Sequence, residues 1–394
     1  MKNALLFIIA FFAIATAFSQ KPYKEKASFD YIRLALQPLP SDIKNYKGEV
    51  ILTYKEKVNG ERDARQAQID AANEKNAKAR KEYDDKSFGE KLGNKALLGT
   101  KGPTIVDVPV HENYYPIIHN ESSVAGTYLK INGYGSAPDN SLKITAYLDG
   151  FQYTTEEKMA NKSVKKDGAT VVVNTFAYLV RYKHPIKLII ESEAAGVIYE
   201  GYVEATNREI TAKTKYYNSR EELQNYWTAG QNGFLGPLDT RISKLCMEAT
   251  NDELNSLYGV SKITREISVW LVKGKKYDYA DYQSAYEYAV MGYGKLAEEG
   301  SNAKAFEYIK KGIDGWEAAL KESEPKNKKA RVNDKVTAVT RLNLAEAYIW
   351  INDYSNAELQ LDKTRFLDLN KFTRLAAKQK GLVDDQKARF EANK

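Results

Sequence analysis

Cysteine and histidine are both scarce: Cys246 is the only thiol, and His111, His119 and His184 are the only imidazoles in 394 residues. One thiol excludes an internal disulfide framework and any metal site built from several cysteines. Cys246 lies in the apolar stretch Ile242-Ser-Lys-Leu-Cys-Met247, where a buried, inert thiol is expected. His111-Glu112 opens like a zinc-protease helix, but the next histidine is His119, too far along a helix to share one metal. Pro116 would interrupt that helix in any case, so both histidines are expected in loops. His184 precedes Pro185 in a predicted hairpin turn. Phosphate-binding and nucleophile motifs are missing too: Gly133-Tyr-Gly135-Ser136 lacks a third glycine and a following helix, and no Gly-x-Ser-x-Gly elbow or Walker-type loop occurs. Acidic pairs such as Asp84-Asp85 and Asp384-Asp385 fall in highly charged segments, where a solvated face is expected. A carboxylate pair that meets only in the fold, as glycosidases need, stays open. The sequence therefore points to no catalytic residue, no cofactor and no metal.

Long apolar runs are absent with one exception. Lys2 precedes the run Ala4 to Phe18, and Ala17-Phe18-Ser19 places small residues where a signal peptidase requires them. Residues 1–19 are expected to be a secretory signal peptide, too short for a transmembrane helix, with the mature chain beginning at Gln20. No cysteine near that point offers a lipid acceptor. The expected location is therefore exported: periplasmic, outer-membrane-associated or at the cell surface, without a lipid anchor. The Ser-Gln junction resembles those of exported proteins of Bacteroidota-type bacteria. With no second apolar run, the mature chain is expected to be soluble.

Charge and aromatic content come next. The formal net charge is +7, concentrated in Lys321–Lys335 and Lys371–Lys394. Such runs can bind nucleic acid or anionic membranes, but in an exported chain a solvated linker and tail are expected, and no nucleic-acid partner. With 43% hydrophobic residues the chain can bury real cores. Its 28 tyrosines suit sheets and wet interfaces, because the ring can be buried while the hydroxyl stays hydrogen-bonded.

Along the chain, Phe29–Leu36 and Gly48–Tyr54 read as strands of one sheet. Glu61–Asp85 is rich in helix formers yet has Ile69 as its only large aliphatic residue, which predicts a solvated helix inside a charged insertion at about 60–102. Thr127–Ile131, Ser141–Leu148, Thr170–Arg181, Ile186–Glu191 and Val197–Ala205 read as strands separated by turn signals, which argues an antiparallel sandwich or barrel. From Asn218 the period becomes helical. Ser219-Arg-Glu-Glu222 is a capping-box pattern, Gly230–Pro237 reads as a loop, and helices are expected at Thr240–Glu248, Asn251–Tyr258, Thr264–Lys273, from Asp281, and at Ala303–Lys321. The predicted fold class is multi-domain α+β. An antiparallel β-sandwich-like domain (20–215) precedes an all-α helical domain (216–370) and a basic helical tail (371–394).

Two helical pairs within Asp281–Leu369 resemble tetratricopeptide-type repeats. In the later pair Leu344 and Tyr348 stand at large-residue positions and Ala345 at the small one. Asn352-Asp353-Tyr354-Ser355 forms the turn, and Ala357 and Leu361 match the second helix. In the earlier pair Gly300, Ala305, Ile309 and Gly312 fit, while its first helix fits poorly. No proline closes either unit, and the basic linker lengthens the interval. An ordinary helical bundle is the alternative. The resemblance implies a concave surface that holds peptides or proteins, with Leu342, Glu346, Ile349 and Trp350 facing a groove. Tyr226, Trp227, Trp270, Trp316 and Trp350 read either as core packing, which helical spacing favours, or as sugar-stacking platforms.

The expected role is a non-catalytic protein-binding or scaffold subunit of a bacterial envelope complex. Its partners would be other envelope proteins, one of which could supply outer-membrane association. The first alternative is a glycan-binding accessory protein, similar in its helical repeats to outer-membrane starch-utilisation lipoproteins. The second is a hydrolase whose carboxylates are brought together by the fold.

Overall fold

The structure, a computed structural model, describes residues 20–91, 102–108, 113–137, 141–298 and 302–394. The expected signal peptide, His111-Glu112, most of the glycine-rich return to the sheet, and Gly300 lie outside the described residues. The fold is mixed α+β, with sheets concentrated in the N-terminal half and helices in the C-terminal half. The chain forms two compact units. One joins the N-terminal segment up to Pro40 with Asn255–Lys394; the other is Ser41–Leu254.

The second unit holds the sheets expected from the β-branched runs. β1 (Lys21–Arg33) belongs elsewhere, so its strands start with β2 (Asn45–Leu52) and the short β3 (Gly135–Ser136). β4 (Ser141–Leu148), β5 (Gln152–Lys166), β6 (Ala169–Lys183), β7 (Ile186–Ser192), β8 (Gly196–Tyr202) and β9 (Ile210–Lys213) follow. One sheet runs β3-β2-β4-β7-β8 and the other β5-β6-β9. β4, β7 and β8 pair antiparallel, and so do β5, β6 and β9. β2 pairs parallel with β3 and β4. A parallel pair needs a long crossover. Here it carries α1 (Lys55–Asp84) and α2 (Glu121–Tyr128), so the charged segment is part of a sheet connection. α1 buries only Val58 and Asn76, as the missing apolar stripe predicts. The expected strand at Thr127–Ile131 is instead the end of α2 and the turn after it, with Leu129 and Ile131 buried. β5 and β6 close through Asp167 (φ 51°) and Gly168 (φ 80°), the pair of left-handed residues that a tight two-residue hairpin turn requires.

The expected loop Gly230–Pro237 is helical: α3 runs Arg220–Leu257 with Pro237 inside it. Leu235, Asp239, Ile242 and Cys246 are buried along α3, and this packing overrides the local cost of glycine and proline.

The first unit departs further from expectation. The strand around Phe29 does not join the sheet of Gly48. It belongs to β1, which pairs along all thirteen residues, antiparallel, with β10 (Ser261–Lys273). β10 lies where a helix at Thr264–Lys273 was expected; Ile267, Val269 and Leu271 alternate inward, a period of two that helical reading overlooks. Behind the ribbon stand α4 (Ala280–Tyr293), α5 (Asn302–Leu320), α6 (Asp334–Trp350), α7 (Tyr354–Arg365) and α8 (Asn370–Ala392). Consecutive helices pack on one another around a core that includes Ile309, Trp316, Leu344 and Ala357, all essentially inaccessible. Where α4 meets α5 the backbones come so close that a Cβ on Gly312 would stand 2.8 Å from the Ala285 carbonyl. The turn before α7 matches the sequence pattern: Asn352 is left-handed (φ 61°) and the Asp353 carboxylate accepts from the Asn356 N–H.

The basic linker and tail are not solvated throughout. Val332 and Val336 are fully buried, and Phe372, Ala376 and Val383 of α8 join the core. Arg389, only 1% exposed, donates to the carbonyls of Leu34 (2.7 Å) and Ser256 (2.9 Å) and pairs with Asp385 (2.9 Å). The cations of this helix are therefore spread around it: Lys371 lies at the Trp270 ring, Lys380 and Lys387 pair with Glu358, and Arg389 is buried.

Candidate functional site

The four residues expected to face a groove sit on α6, where their depth can be read directly. Leu342, Ile349 and Trp350 are buried. The Glu346 carboxylate is committed to internal partners. Arg265 of β10 donates from Nε (3.0 Å) and Nη2 (3.2 Å), the Trp350 indole donates at 2.9 Å, and the Gln379 amide of α8 donates at 3.0 Å. A carboxylate held by a bidentate guanidinium and two neutral donors is satisfied and positioned. It ties β10, α6 and α8 together. Trp350 also meets Tyr31 (4.7 Å between centroids) and the edge of Phe29 (5.1 Å), and Arg265 lies 5.8 Å from its ring centre. Trp270 and Trp316 are buried as well. These indoles pack a core, which is the reading that helical spacing favoured over sugar platforms.

The same residues form the floor of two recesses. Ile349 and Trp350 border one of about 520 Å3 with Tyr31 and Phe390. Leu342 and Glu346 border another of about 400 Å3, between the outer edge of β10 and α8. One wall of this second cleft is the run 265–270 of β10. Among the described residues β10 has β1 on one side and no strand on the other. At its far end the Asn343 side chain accepts from the Trp270 N–H (2.9 Å) and donates to the Trp270 carbonyl (2.8 Å). On the opposite wall stand Leu375, Lys378 and Leu382 of α8. The Lys24 and Lys371 ammonium groups lie 4.8 and 5.2 Å from the centre of the Trp270 ring at the rim. The chemistry on offer is apolar contact, the main chain of a strand edge and cations.

The sheet-bearing unit contains a polar cluster that sequence reasoning passed over. Asp239 of α3, 1% exposed, accepts from the Tyr114 hydroxyl (2.5 Å) and the Ile117 N–H (2.9 Å). Burial raises its carboxyl above the ordinary range and pushes the Tyr114 hydroxyl up strongly. His119 and His184 stand edge to face at 6.1 Å. Burial, helped by the neighbouring His119, lowers the His184 imidazole to about 4, and burial raises the Cys246 thiol to about 11. Two of the three histidines, read as ordinary loop residues, thus lie in an enclosed setting. Only a long-range fold brings residues 114, 119, 184 and 239 together, and no local motif signals it. Among the described residues no group of three His, Cys, Asp or Glu side chains is placed to hold a metal ion. Nor is any described helix long and apolar enough to cross a membrane.

No protein-family model, no curated protein and no solved structure matches the chain.

Proposed function

We propose that this chain is a non-catalytic protein-binding or scaffold subunit of a bacterial cell-envelope complex, periplasmic or outer-membrane-associated, and that it holds its partner on the unit built from β1, β10 and α4–α8. The observation that carries the reading is the cleft beside β10, whose wall offers main-chain groups and whose rim offers cations. Main-chain groups recognise another main chain, which is why strand edges and grooves recur at peptide-binding sites. The envelope location rests on the apolar run Ala4–Phe18 and the small residues after it. The tetratricopeptide-type pattern of Leu344, Ala345, Tyr348, Ala357 and Leu361 supports the same role, since stacked helical pairs bind partners without chemistry.

The test is affinity purification with the tagged full-length chain from envelope extracts. A stoichiometric protein partner is the expected result. No partner, together with clear binding on a glycan array, would overturn the reading in favour of a glycan accessory role. Turnover of a polysaccharide or peptide library that disappears on changing single carboxylates would make the chain a hydrolase.

A further inference from the structure

In an antiparallel pair, successive residues alternate between hydrogen bonding to the neighbouring strand and pointing their amide groups away from it. Trp270 marks the phase on β10: its N–H and C=O both go to Asn343, so they point away from β1. Two and four residues back, Ser268 and Glu266 must therefore turn their N–H and C=O outward as well. Both residues are exposed, both line the cleft, and among the described residues no third strand covers that side. Asn343 does for Trp270 what a neighbouring strand would do, one donor and one acceptor to one residue. Beyond it the edge is open.

The occupant follows from the groups around that edge. A helix has already spent its own amides internally and cannot pair with Ser268 and Glu266; an extended segment can. Alternate side chains of such a segment would meet Leu342, Leu375 and Leu382 on the inner side. Those on the outer side would meet Lys24, Lys371 and Lys378, none of which has an ion-pair partner among the described residues. Glu346 does not offset them, because Arg265 neutralises it; among the described residues that line the cleft, Glu266 is the one acid without an ion pair. A second copy of this chain would bring the same lysines to the same place and is disfavoured by like charge.

The geometry points to strand addition: an extended, acidic segment of another protein pairs its main chain with Glu266 and Ser268 on the free edge of β10, its carboxylates beside Lys24, Lys371 and Lys378. This inference rests on the protein-binding role proposed above and specifies the partner's chemistry and mode.

The experiment uses the full chain and a labelled, end-blocked octapeptide of alternating Glu and Val. Controls are the same peptide with Lys for Glu, and one N-methylated at every residue, so that neither of its edges can donate. Fluorescence anisotropy is expected to show binding of the acidic peptide alone, with hydrogen-exchange protection gained at 264–270. The double variant Lys371→Glu/Lys378→Glu is expected to weaken binding by about tenfold or more, as loss of complementary charge does. Ser268→Pro removes an outward N–H that β1 does not use, a position where an edge strand tolerates proline; it is expected to abolish binding with its melting transition retained. If that variant fails to fold, the N-methylated peptide still decides: equal binding of it overturns strand addition, as does equal binding of the lysine peptide or no binding of the acidic one. Sedimentation showing a dimer that Ser268→Pro dissolves would give the edge to a second copy and overturn the acidic partner. An envelope partner retained by Ser268→Pro keeps the protein-binding role and overturns this site. A wild-type chain that captures no protein overturns the role itself.

Discussion

His184 is 1% exposed, and among the described residues neither of its ring nitrogens has a hydrogen-bond partner. An imidazole in that position is kept neutral because charging it would cost burial energy that the Asp149 carboxylate offsets only in part. Its folded value lies at about 4, against an ordinary 6.5. Between those two values the unfolded chain takes up the proton and the folded chain does not. Stability contributed by the neutral ring is therefore complete above pH 6.5 and is lost as pH falls toward 4. His184→Phe is expected to flatten this dependence by up to about 1.4 kcal/mol per pH unit across the window. Denaturant titrations of both proteins between pH 4 and 7 measure it, and parallel curves would refute the assignment. Nothing local in Lys183-His-Pro185 announces such a residue. Its isolation comes from tertiary enclosure, and a tripeptide between two strands reads the same whether the fold covers it or leaves it in water.

At the scale of elements, what the sequence discloses depends on whether local preference and tertiary setting agree. They agree in β6, where Thr170–Arg181 is dense in β-branched and aromatic residues, and in α1, whose alanines and charges favour helix whatever surrounds it. They conflict in β10. Lys262, Thr264, Arg265 and Glu266 interrupt its apolar alternation, so the segment reads as one more helix in a helical region. Only pairing with β1 reveals it as a strand. The same conflict explains α8, whose lysines suggest a solvated tail while its opposite face docks. Arg389 is the residue that fastens it. Arg389→Met would take from the Leu34 carbonyl its guanidinium donor and from the Ser256 carbonyl and the Asp385 carboxylate one of two donors each, and is expected to cost about 3 kcal/mol. Arg389→Lys is expected to recover little, since one ammonium cannot replace a planar fork aimed at four acceptor atoms. Thermal unfolding monitored by circular dichroism provides the comparison. A loss below about 1 kcal/mol for Met would show that the contacts carry no net stability.

The candidate site illustrates a partial reading of the same kind. Helical spacing places Leu342, Glu346, Ile349 and Trp350 on neighbouring faces of α6, and all four do border recesses. What spacing alone cannot supply is β10, which covers that face, uses Glu346 for Arg265 and substitutes its own free edge as the exposed surface.

On the scale of the molecule, the unit built from β1, β10 and the C-terminal helices is discontinuous in sequence, with Ser41–Leu254 inserted between its parts. The two ends of that insertion are neighbours within the unit: Leu36 N–H donates to the Ser256 carbonyl at 3.2 Å and Gln37 N–H to the Leu257 carbonyl at 2.7 Å. A short Gly-Ser bridge from Pro40 to Asn255 should therefore span the gap, as at other sites where domains are inserted. The shortened chain is expected to unfold in one cooperative thermal transition and to retain exchange protection in β1 and β10. A non-cooperative melt would show that the unit cannot stand without residues 41–254.

That discontinuity also sets a clock. Phe29 must wait for Arg265 to be synthesised before the two can pair. At about 5–20 residues per second, the delay is on the order of 10–50 s. Throughout it β1 is a thirteen-residue amphipathic strand with both edges bare, the kind of segment that associates with whatever strand it meets first. Slowed translation is expected to lower the yield of native protein and added chaperone to restore it; yields unchanged by both would show that β1 waits for β10 without loss.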